Sequence, residues 1–61
     1  MHLIINTTKP FASIDAFLDW LLQTDADRTF ATNIGTVSRC VLWQLIELVH
    51  SEKGNLHITT A

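Results

Sequence analysis

A single cysteine, Cys40, leaves this chain of 61 residues without an internal disulfide. That absence has a cost, because a domain of about this size buries only ~60% of its unfolded surface and usually leans on a disulfide, a metal or a second copy. Two glycines, Gly35 and Gly54, are too few for a glycine-rich phosphate loop. Basic residues are also scarce. Lys9, Arg28, Arg39 and Lys53 face six acids, for a net charge of −2. Neutralising phosphates supplies most non-specific affinity for nucleic acid, so the balance weighs against a strongly electrostatic DNA binder. Long apolar runs are absent too. Cys40-Val-Leu-Trp43 is four residues long, where a membrane span needs roughly 20. We expect one domain over residues 1–61, with no membrane partner, in a reducing cytoplasmic compartment.

What the chain does have is apolar surface. Hydrophobic residues make up 48% of it and charged ones only 16%. A surface so poor in charge is usually covered, so a homodimer or a partner protein is expected.

Chemistry-bearing clusters are few. His2, Cys40, His50 and His57 are the candidate soft metal ligands. No two stand at a close ligand spacing such as Cys-x-x-Cys or His at i and i+4, and no metal or other cofactor is expected. Asp15 and Asp19 lie one turn apart on a solvated helical face, where paired carboxylates mark surface rather than catalysis. No Ser or Cys has a base near it in sequence, and so short a chain has little room for a substrate pocket. An enzyme is not expected.

Residues His2 to Thr8 are β-branched and end in threonines, which predicts a strand with Leu3 and Ile5 on one side and Ile4 on the other. Pro10 ends it. Ser13 is placed to cap a helix from Ile14 to about Gln23, with Asp15 favoured by the helix dipole in the first turn. Ile14, Phe17, Leu18, Leu21 and Leu22 share its apolar face, and Phe11 would staple the entry. The spacing of Phe30, Ala31 and Ile34 predicts a short second helix from about Arg28, stopped at Gly35. Thr36 would cap a third helix from Val37 to about Glu52. Asn55 to Thr60 alternates as a half-buried strand, Leu56 and Ile58 inward and His57 and Thr59 outward. The terminal strands should pair, since a lone strand leaves its backbone groups unsatisfied. The expected fold is therefore α+β, strand-helix-helix-helix-strand, with a small two-stranded sheet.

The run from Phe30 to Val41 resembles the helix-turn-helix unit of Cro-like and winged-helix regulators. Ala31 stands where that family has a small residue, Ile34 and Val41 where it has core residues, and Gly35 at the turn. Thr36 and Gln44 depart from the pattern, at positions usually apolar. The segment Gly35-Thr-Val-Ser-Arg-Cys-Val-Leu42 is also similar to the second helix of ribbon-helix-helix repressors, with one extra residue. The first resemblance implies a helix-turn-helix-like core and a dimeric DNA-binding regulator. In it Thr36, Val37, Ser38 and Arg39 open a recognition helix in the major groove. Leu42, Trp43, Ile46 and Val49 are the expected self-association residues, with Trp43 either an interface anchor or a cover for the edge of the core. The competing expectation is a small acidic inhibitor or adaptor that binds another protein without touching DNA. It would use the same apolar helix and the acidic residues Asp15, Asp19, Asp25 and Asp27.

Overall fold

A computed structural model describes residues 1–60. Strand β1 (His2–Thr7) leads to helix α1 (Ile14–Gln23), then to the hairpin strands β2 (Thr29–Thr32) and β3 (Gly35–Ser38). Helix α2 (Arg39–Ser51) and strand β4 (Asn55–Thr60) follow. The sheet runs β3-β2-β1-β4, and both its edges are strands that α2 connects. β2 is antiparallel to its two neighbours, and β4 is parallel to β1. β3 and β4 therefore point the same way, and α2 is the crossover that such an arrangement requires.

The three-helix expectation, with its helix-turn-helix-like core and two-stranded sheet, is overturned. The mixed sheet has four strands, and residues 28–38 hold a hairpin where a helix and a tight helical corner were expected. The reason is a period of two rather than 3.6. Phe30 points into the core, Thr29 and Ala31 point out, and Phe30 lies opposite Val37 on the neighbouring strand. Threonines suit such a pleated, half-exposed ribbon. Gly35 does not stop a helix. Its φ of 122° closes the two-residue turn at Asn33 and Ile34, a conformation open to glycine at little cost. Asn33 then acts as one more residue of β2. Its N–H donates to the Ile4 carbonyl at 3.1 Å, its Oδ1 accepts from the Ile4 N–H at 2.9 Å, and its Nδ2 donates to the His2 carbonyl at 2.9 Å.

The other elements follow the sequence closely. Ser13 caps α1, its hydroxyl accepting from the Ala16 N–H at 3.1 Å. Phe11 packs edge-on against Phe17 with ring centroids 5.3 Å apart. α2 starts two residues later than expected because Ser38, not Thr36, is its cap and accepts from the Val41 N–H. Lys53 takes the left-handed position at its end. Gly54 is required for another reason: a Cβ there would overlap the Met1 carbonyl oxygen. That carbonyl accepts the Asn55 N–H at 2.9 Å, the first bond joining β4 to β1.

Both helices lie on one face of the sheet. Leu3 and Ile5 of β1, Phe17 and Leu21 of α1, Phe30 of β2 and Leu42 and Val49 of α2 form a single buried cluster. Leu56 and Ile58 of β4 complete its edge. The opposite sheet face carries the half-buried Ile4 and the exposed His2, Asn6, Ala31, Thr36, His57 and Thr59.

Candidate protein-binding trough between the helices

α1 and α2 bury their inner faces on the sheet and leave a trough between their flanks. One hollow of about 390 Å³ is lined by Ile14 and Leu18 of α1, Ile46 and His50 of α2, and Leu56 below. A second, of about 360 Å³, is lined by Leu22 and Ala26 on one side and Arg39, Cys40, Trp43 and Gln44 on the other. Glu47 lines both and stands between them. Helical spacing explains the lining. Ile14, Leu18 and Leu22 form an i, i+4, i+8 row that drifts outward from the buried Phe17 and Leu21. Leu22 is accordingly 66% exposed and Ile14 43%. The neighbouring row on α1 is Asp15 and Asp19, both exposed, and Glu47 stands on the facing helix. The apolar lining is thus flanked by three acids, with Arg39 at the Trp43 end.

The residues expected to touch DNA are not brought together. Thr36 is exposed on the open sheet face, while Val37 is half-buried opposite Phe30. Ser38 is the cap of α2. Arg39 is half-buried and donates from Nη1 to the Thr24 carbonyl at 2.6 Å, tying the end of α1 to the start of α2. Arg28 stacks over Trp20 at 4.9 Å and donates to Thr24 Oγ1. The two arginines therefore meet at Thr24. Lys53 stands beyond the far end of the 13-residue α2, about 20 Å away along its axis.

The expected self-association residues also divide. Leu42 has no exposure and Val49 3%, so both belong to the chain's own core, although Val49 also lines the first hollow. Sequence projection placed them on the apolar stripe but could not tell which part of so wide a stripe the sheet would take. Trp43 and Ile46 are half-buried and border the trough. Leu22 and Ile14 are the contact candidates that sequence reasoning assigned to the core. Their drift away from Phe17 along the row was the available signal.

The other side chains with chemical potential stand apart. His2 and His57 lie side by side on the open face with ring centroids 4.8 Å apart. Among the described residues no group of three or more His, Cys, Asp or Glu could hold a metal ion. Cys40 is free and exposed. No helix among the described residues is long and apolar enough to cross a membrane.

No protein-family model matches the chain, and no curated protein and no solved structure matches it.

Proposed function

We propose that this protein is a binding module, an adaptor or inhibitor, whose inter-helix trough receives an amphipathic helix bearing basic residues. The observation that carries the reading is the trough itself. Exposed leucine and isoleucine line it, Glu47 stands in its wall, and the exposed Asp15 and Asp19 lie on the neighbouring row of α1, with Arg39 at the Trp43 end. Burying that apolar surface would drive association at roughly 25 cal/mol per Å², and the flanking acids would select a basic partner and fix its direction. The Ile14-Leu18-Leu22 row, about 12 Å long, matches the i, i+4 anchors of a helical segment. A small-molecule site would gather several polar groups at one point, whereas the polar side chains here are spread along the trough.

A DNA-reading role has less support. Thr36, Val37, Ser38 and Arg39 are divided among an open face, a core, a cap and a tether.

Trp43 makes the test direct, since its ring lines the trough. A helical peptide with a leucine stripe flanked by lysines should give a saturable change in tryptophan fluorescence, and the same peptide with glutamates should not. Leu22→Glu, at an exposed position that leaves the fold intact, should abolish the change. Equal binding of both peptides, or no binding of the lysine peptide, would sink the reading. Saturable binding of a DNA duplex, weakened by Arg39→Ala and by salt, would replace it.

A further inference from the structure

The geometry points to a second interaction surface, independent of the trough: the free edge of β4, which we propose pairs antiparallel with β4 of a second copy, His57 opposite His57. Backbone direction is the first argument. Asn55 donates its N–H to the Met1 carbonyl, and the Thr59 carbonyl accepts from Thr7 Oγ1 at 3.4 Å. The odd residues of β4 thus turn their backbone groups toward β1. Leu56 and Ile58, between them, turn theirs away from the sheet, and among the described residues no strand lies beyond β4 to take them.

The second argument is what the edge lacks. Soluble proteins blunt exposed edges with charge, proline, a bulge or a covering element. Asn55-Leu-His-Ile-Thr-Thr60 contains no Lys, Glu, Asp or Pro, and pairs with β1 in unbroken register along its length. A hollow of about 230 Å³ lies between Phe11, Ser13 and Ile14 and the strand residues Leu56, Ile58 and Thr60.

Symmetry then limits the register. A two-fold axis perpendicular to the sheet makes two β4 strands antiparallel and keeps all four helices on one side. Directly opposed residues must then point to the same face, so His57 meets a residue of its own parity. With the axis at His57, Leu56 faces Ile58 of the second copy twice over, which extends the half-buried edge of the core. Leu56 and Ile58 become the hydrogen-bonded pairs their outward backbone groups require, and His57 forms the closely spaced, non-hydrogen-bonded pair. The product is a continuous sheet of eight strands.

The experiment is size-exclusion chromatography with light scattering across protein concentration, together with amide exchange by NMR. Mass should rise from 6.9 kDa to twice that. At high concentration the Leu56 and Ile58 amides should exchange at least about tenfold more slowly, while those of Asn55, His57 and Thr59, already bonded to β1, should not change. His57→Lys, on the exposed face, sets like charges against each other and should hold the chain at monomer mass. Mixing it with His57→Glu should restore the dimer through opposite charges at that position. A monomer at all concentrations overturns the proposal. So does a dimer whose Leu56 and Ile58 amides exchange as in the monomer, one indifferent to His57→Lys, or a variant mixture that stays monomeric.

Discussion

The two faces of the sheet are made from the same four strands yet obey different rules. On the covered face Leu3, Ile5 and Phe30 are buried and locked against both helices. On the open face His2, Asn6, Ala31, Thr36, His57 and Thr59 meet solvent, and Thr59 Oγ1 donates to Asn6 Oδ1 across neighbouring strands. One face therefore holds the stability. The other carries less of it, and the binding surfaces are proposed elsewhere, on the helix flanks and the β4 edge.

Breaking the covered face should have the largest effect. Phe17 has no exposure and packs against Phe11 and Trp20, with centroids 5.3 and 5.8 Å away. Removing a buried phenylalanine costs about 3–5 kcal/mol. A 61-residue chain has a total stability of only about 3–9 kcal/mol at typical values per residue. Phe17→Ala should therefore lose its cooperative thermal transition by circular dichroism. A melting temperature within a few degrees of the wild type would mean that the covered face is not the core.

The same contrast explains what could be read from sequence. Alternation in His2–Thr7 and Asn55–Thr60, and the helical face of Ile14–Gln23, each solve one local burial problem, and all three elements lie where that pattern puts them. The hairpin was misread because its pattern is ambiguous. Phe30, Ala31 and Ile34 fit a helix when counted by fours, yet Ile34 is 53% exposed at the turn, and it is Phe30 and Val37 that pair. What tips the balance is a tertiary bond. Asn33 can complete the β2 ladder only once β1 stands beside it, 29 residues earlier in the chain. The trough escaped notice for a similar reason. The row Ile14, Leu18, Leu22 looks like core until the position of α2 shows that its outer end stays uncovered.

Asn33 offers the middle-sized test. Its side chain makes two bonds to β1, with the Ile4 N–H and the His2 carbonyl, each 2.9 Å long and exposed to solvent. Water can replace such partners, so Asn33→Ala should cost about 1 kcal/mol, a fall in melting temperature of roughly 4–8 °C for a domain of this size. Asn33→Asp keeps the acceptor for Ile4 and loses the donor to His2, and should fall between the two. If Asn33→Ala melts with the wild type, the hairpin is held by Phe30 and Val37 alone.

The smallest effect should come from the open face itself. Thr36 is exposed there, next in sequence to Val37, which is half-buried on the covered face opposite Phe30. Thr36→Val keeps the β-branched shape and changes only a solvated hydroxyl, so its stability should stay within about 0.5 kcal/mol of the wild type in urea denaturation. Val37→Thr makes the reverse change one residue away, and should cost more because it sets a hydroxyl against the Phe30 ring. The pair isolates the face as the variable, since strand, neighbours and side-chain volume are nearly the same. A loss at Thr36 equal to that at Val37 would show that the two faces are not different in kind, and that the open face is structural surface rather than surface free for other use.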